Sequence, residues 1–120
     1  MHLTVDGHLR TWGYPWGFDR EHSVGYLQKW LTKMPATIEM APIQPAIALW
    51  SGDILTGYVL IAESHISVHL AIPERRAFVD IFSCKGFDAE RVLNSLERDL
   101  AMEALNIRKL PRGLEYGTDG

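Results

Sequence analysis

Residues 57–84 read GYVLIAESHISVHLAIPERRAFVDIFSC, and this stretch decides the fold. It contains three short runs rich in β-branched and aromatic residues, 57–62, 65–70 and 77–82, with Pro73 breaking the path between the last two. Runs of this length and composition, bounded by turn residues, predict consecutive strands. Upstream, 37–41 and 46–50 have the same character and are separated by Pro42 and Pro45, with Gly52 closing the second. Before them the period lengthens: over 19–34, Val24, Leu27, Leu31 and Met34 fall on one stripe with Trp30 beside it, predicting a helix that Pro35 stops.

The flanks extend the pattern. Residues 2–10 alternate weakly and predict an edge strand. Residues 12–17, WGYPWG, predict a turn-rich loop whose Trp12, Tyr14 and Trp16 either line a pocket or cover the sheet. Downstream, Asp88 is a plausible N-cap for a second helix with Val92, Leu96 and Leu100, joined by Leu93 and Ala104, on its apolar face. A last strand is expected over 106–110 and a polar, frayed tail over 113–120. Strand, helix, several strands, helix, strand predicts an α+β two-layer sandwich: a mainly antiparallel sheet with both helices on one face, as a single domain over 1–120.

Bulk properties bound the function. The chain has 120 residues, is 47% hydrophobic and carries a net charge of -3. There is no basic footprint for nucleic acid. The opening MHLTVDGHLR lacks a signal-peptide core and no run is long enough to cross a bilayer, so a soluble cytoplasmic protein is expected. The one cysteine, Cys84, has no internal disulfide partner.

Reactive residue types crowd the deciding stretch: Glu63-Ser64-His65, then Ser67, His69, Glu74, Asp80 and Cys84. A solvated polar strand face is the plainest explanation. Among enzymes, a serine hydrolase would need the G-x-S-x-G elbow, and Ser64 sits in A-E-S-H-I. His65 and His69 have i, i+4 spacing, but on a strand rather than a helix, so no metal is expected. A third chemistry starts at Glu-Ser-His. A serine at a strained peptide bond attacks the preceding carbonyl, and the ester breaks by β-elimination. This leaves a pyruvoyl group able to form a Schiff base with a substrate amine and accept electrons as CO2 departs. Strand periodicity adds a constraint. Ser64 and His69, five apart, point to opposite faces, so a bend or a neighbouring strand must bring partners together.

ESHISVH with a cysteine twenty residues after the serine resembles the signature of the prokaryotic S-adenosylmethionine decarboxylases, E-S-H-[IL]-[ST]-[IV]-H-T-W-P-E followed by F-[ST]-C. The resemblance implies a self-cleaving, pyruvoyl-dependent carboxy-lyase that decarboxylates S-adenosylmethionine in spermidine synthesis. By position it implies cleavage between Glu63 and Ser64 into chains 1–63 and 64–120, with Ser64 the pyruvoyl precursor. It likewise implies His69 for processing, Cys84 as proton donor, Thr56 as the hydroxyl assisting processing, and Trp50 as an aromatic against the substrate adenine. A homodimer of cleaved protomers, with sites near the interface, is also implied. The chain departs from the pattern at Leu70-Ala71-Ile72-Pro73-Glu74, where the tryptophan is missing and Pro-Glu comes one residue late. Glu74 and Asp53 are the carboxylates available for substrate. The same chemistry on arginine or ornithine, and a non-processing regulatory homologue, are the alternatives.

Overall fold

The computed structural model describes residues 1–10, 15–16 and 19–111. The expectations for Trp12, Tyr14 and the tail 113–120 fall outside them. In chain order the elements are β1 (His2–Leu9), α1 (Arg20–Thr37), β2 (Ile47–Ser51), β3 (Ile54–Ile61), β4 (Ser64–Ala71), β5 (Arg76–Ser83), α2 (Ala89–Leu100) and β6 (Met102–Leu110). The strands form one six-stranded sheet in the order β2-β3-β4-β5-β1-β6, and every neighbouring pair is antiparallel. The helices cover one face and leave the other open, giving the expected two-layer α+β sandwich.

Alternation decides which side chains enter the core. Leu3, Val5 and Leu9 of β1, Leu55 and Val59 of β3, Ile66, Val68 and Leu70 of β4, and Val79 and Ile81 of β5 are buried beneath the helices. Each such side chain, fully buried, contributes about 1.5–3 kcal/mol. Leu27, Leu31, Met34 and Ile38 meet them from α1 and its C-cap. Gly57 sets how closely α1 approaches. A Cβ there would lie 2.6 Å from Leu31 Cδ1 and 2.9 Å from Leu27 Cδ2. The two helices are joined by a polar chain: Trp30 Nε1 donates to Ser95 Oγ at 2.9 Å, and Ser95 Oγ donates to Asp99 Oδ2 at 3.0 Å.

Four local expectations are corrected. β1 is not an edge strand; it lies between β5 and β6. Its alternation reads weakly because its third inward position is Gly7, where a Cβ would lie 2.1 Å from the Glu103 carbonyl oxygen and where the β1–β6 register shifts. Pro35 does not stop α1, which runs to Thr37. A proline two residues before the end removes only one late hydrogen bond, and its own carbonyl accepts from the Met40 N–H at 2.7 Å. Residues 37–41 accordingly form no strand: Ile38 stays on the helical stripe and is buried, and Glu39 turns the chain at φ 62°. Ala104 belongs to β6 rather than to the second helix, because Ala101 takes a left-handed C-cap at φ 54°. Asp88 caps α2 as expected, its carboxylate accepting from the Glu90 N–H at 3.0 Å. Trp16 covers the core: it is fully buried and donates to the Leu100 carbonyl at 3.0 Å.

Candidate active site

The residues singled out from the sequence fall at two ends of the sheet. At one end β3 turns into β4 through Ala62 and Glu63, with Ile61 and Ser64 as the closing pair. The turn forces Glu63 to φ 57°, a left-handed conformation that costs a side-chain-bearing residue about 1–2 kcal/mol. Ser64 pairs across with Ser83, the last residue of β5, so Cys84 follows directly beside the turn. The Cys84 thiol donates to the Glu63 carbonyl oxygen at 3.3 Å. That carbonyl belongs to the peptide bond preceding Ser64. Strand β5 is held here by the chain start, since the Met1 ammonium donates to the Ser83 carbonyl and the Ser83 N–H to the Met1 carbonyl at 2.9 Å.

At the other end Thr56 and His69 face each other across β3 and β4, with Oγ1 and Nδ1 3.0 Å apart on the open face. This leaves His69 Nε2 without a partner among the described residues. Strand β4 runs unbroken from Ser64 to Ala71. At about 3.3 Å per residue, Ser64 and His69 are about 17 Å apart along it, on opposite faces. The chain therefore builds two half-sites, Glu63-Ser64-Cys84 and Thr56-His69, and does not join them within one copy.

The three expected substrate contacts lie near the second half-site. Glu74 is exposed in the β4–β5 turn and makes no hydrogen bond or ion pair with another described residue. Asp53, in the β2–β3 turn, pairs with Arg20 at 3.2 Å; both are exposed, which limits the pair to below about 1 kcal/mol. Trp50 shares the helix-covered side with Leu55 and Ala48. The Arg20 guanidinium covers its ring at 4.3 Å, and its Nε1 donates to the Arg20 carbonyl at 3.1 Å. His65 lies on the open face in tilted contact with Phe82, 5.9 Å between centroids, and Phe82 in turn meets His2 edge-on. His2 Nε2 lies 2.6 Å from Asp80 Oδ1. Nothing in the sequence around His2 or Phe82 announces their contact, which exists only through the cross-strand register of β1, β4 and β5. Among the described residues no three His, Cys, Asp or Glu side chains converge as a metal site requires, and no described helix is long and apolar enough to cross a membrane.

The fold is an antiparallel α+β sandwich that places a serine, its own preceding carbonyl and a thiol at one tight turn. The S-adenosylmethionine decarboxylase family matches residues 16–113, and the chain belongs to that family. It is 26% identical over 97 residues to an S-adenosylmethionine decarboxylase proenzyme of Clostridium botulinum strain Langeland, covering 80% of this chain and 84% of the relative. It is 27% identical over the same length to the proenzyme of strain Loch Maree, with the same coverage.

Proposed function

We propose that the chain cleaves its own Glu63–Ser64 bond, carries the resulting pyruvoyl group at residue 64, and decarboxylates S-adenosylmethionine in the cytoplasm as a source of aminopropyl groups for spermidine. The observation that carries this reading is the Cys84 thiol aimed at the Glu63 carbonyl at 3.3 Å, beside a left-handed Glu63 and an adjacent serine. Ser64 Oγ adds to the Glu63 carbonyl carbon, and the thiol meets the negative charge that develops on the oxygen. The C–N bond breaks, the Ser64 nitrogen leaves as an amine, and an ester joins the two parts. Elimination then removes the Cα proton of residue 64, breaks its Cβ–O bond and releases Glu63 as a carboxylate. The remaining dehydroalanine tautomerises, takes up water and loses ammonia, leaving a ketone at the start of 64–120. This ketone supplies a conjugated carbonyl that draws electrons from the substrate as CO2 leaves. Cys84 then returns a proton to the product carbon.

The elimination needs a base, and His69 suits the role, its Nδ1 held by Thr56 and its Nε2 unpartnered. Within one copy it is too far away. Two copies packed open face to open face, about a two-fold axis perpendicular to the strands, set the β3–β4 turn of each over the His69 end of the other. Ser64, the first residue of β4, reaches the partner's His69 by turning round the strand end once the chain opens there. Leu49, Ile54, Tyr58 and Leu60 expose apolar surface on that face, which favours its being covered. The reading thus requires a homodimer with two composite sites. The test is CO2 release from mature protein offered S-adenosylmethionine, arginine and ornithine separately. Turnover of S-adenosylmethionine is expected. An inert S-adenosylmethionine with a basic amino acid turning over would overturn the substrate assignment.

A further inference from the structure

His69 has a neighbour the proposed chemistry does not use. Its cross-strand partner on β5 is Phe78, and Phe78's partner on β1 is Asp6. Thr56, His69, Phe78 and Asp6 therefore form one row across β3, β4, β5 and β1, all on the open face. Phe78 is 40% exposed. Asp6 is exposed and makes no hydrogen bond or ion pair with another described residue. Neighbouring strands lie about 4.8 Å apart, which puts the ring and the carboxylate side by side within about 10 Å of the His69 backbone. Arg76, the preceding open-face residue of β5, pairs with neither Phe78 nor Asp6. Asp80, the next one, is held by His2.

An exposed aromatic ring beside an unpaired carboxylate has a definite ligand chemistry. The face of the ring attracts a cation through its quadrupole, a desolvated cation most strongly. The carboxylate adds a charge of opposite sign at close range. A soft, weakly hydrated cation with an apolar body satisfies both. We infer that Phe78 and Asp6 form the cation-recognising edge of the active site, the ring lying against the substrate's sulfonium and the Asp6 carboxylate opposing its charge. This rests on the reading given under the proposed function and deepens it by naming two specificity-determining residues.

The test compares two probes differing in one methyl group and one charge: S-adenosylmethionine and its neutral thioether, S-adenosylhomocysteine. Calorimetric titration uses the protein as purified after borohydride treatment, which reduces any ketone and prevents turnover. Wild-type protein is expected to bind the sulfonium about tenfold more tightly than the thioether. Phe78→Leu and Asp6→Asn should each bring that ratio below about threefold, and Phe78→Tyr, which keeps a ring, should retain it. Melting temperature and sedimentation of each variant, measured alongside, separate recognition from folding and assembly. An unchanged ratio in both Phe78→Leu and Asp6→Asn, or no preference in the wild type, overturns the inference. Untreated mature protein that releases no CO2 from S-adenosylmethionine yet shows the preference would overturn the decarboxylase reading and leave the cation edge standing.

Discussion

Replacing Cys84 by alanine removes the hydrogen bond from the thiol to the Glu63 carbonyl, donated at 3.3 Å. In the ground state its loss is small, about 0.5–1.5 kcal/mol for a net hydrogen bond, with a thiol at the weak end. The larger effect comes when Ser64 Oγ adds and the carbonyl oxygen becomes an oxyanion. Loss of one such donor typically slows reaction by about 10²–10³-fold. A thiol donates more weakly than an amide, so cleavage of Cys84→Ala should slow by about ten- to a hundredfold, or about 1.4–2.7 kcal/mol of barrier. Cys84→Ser, which restores a donor at shorter reach, should recover part of the rate. The assay is a time course of intact mass on freshly purified chain, following the loss of the 13.6 kDa species. Whatever fraction of Cys84→Ala matures should also lose about 10²–10⁴-fold in decarboxylation, as for a missing general acid. An alanine variant that cleaves at the native rate would refute the processing role. One that also decarboxylates at the native rate would remove Cys84 from the site.

Three further outcomes follow from the geometry. His69→Ala alone should stall at a hydroxylamine-sensitive ester; co-folded with Ser64→Ala it should regain cleavage of its own Ser64, since the mixed dimer contains one intact composite site, and no rescue on intact-mass analysis would argue against shared sites. Gly57→Ala should destabilise by about 1–3 kcal/mol in urea titration, because its Cβ would meet Leu31 at 2.6 Å, Leu27 at 2.9 Å and the Ile47 carbonyl at 3.2 Å, and full stability would mean α1 sits further from the sheet. The Arg98 guanidinium, bonded to Asp99, holds that carboxyl below its usual range against the opposing effect of burial, with Ser95 assisting; a depressed pKa gives stability that is present above the unfolded value near 3.8 and lost as pH falls through the folded value. Asp99→Asn should therefore flatten the acid limb of a melting-temperature profile below about pH 4, and an unaltered limb would show that the pair contributes nothing.

The sheet was legible where strands alternate or are bounded by proline and glycine, as in 57–84, and where a carboxylate such as Asp88 caps a helix. It was not legible where tertiary packing overrides local signals. Ala101 ends α2 in a left-handed conformation with no glycine to announce it. Gly7 silences the inward signal of β1 because the backbone of β6 occupies the space its side chain would need. For the site, strand period alone put Ser64 and His69 on opposite faces, and the unbroken β4 keeps them there. Cross-strand register is what sequence spacing could not supply. It joins Thr56 to His69 and Cys84 to the Ser64 turn, lines Phe78 and Asp6 up beside His69, and turns Trp50 toward Arg20 on the covered side. Twenty residues of sequence separate Ser64 from Cys84, whereas one strand pairing brings them together.

The central claim is that the chain opens at Glu63–Ser64, and intact-mass spectrometry of wild-type protein tests it most directly. The account predicts two pieces, residues 1–63 ending in a normal carboxylate and residues 64–120 blocked to Edman degradation. The second piece should be about 17 mass units lighter than a serine-initiated fragment, the mass of the ammonia lost in forming the ketone. Ser64→Ala should stay whole, having no hydroxyl to attack the Glu63 carbonyl. Wild-type protein that remains a single 120-residue chain after prolonged incubation would contradict the account.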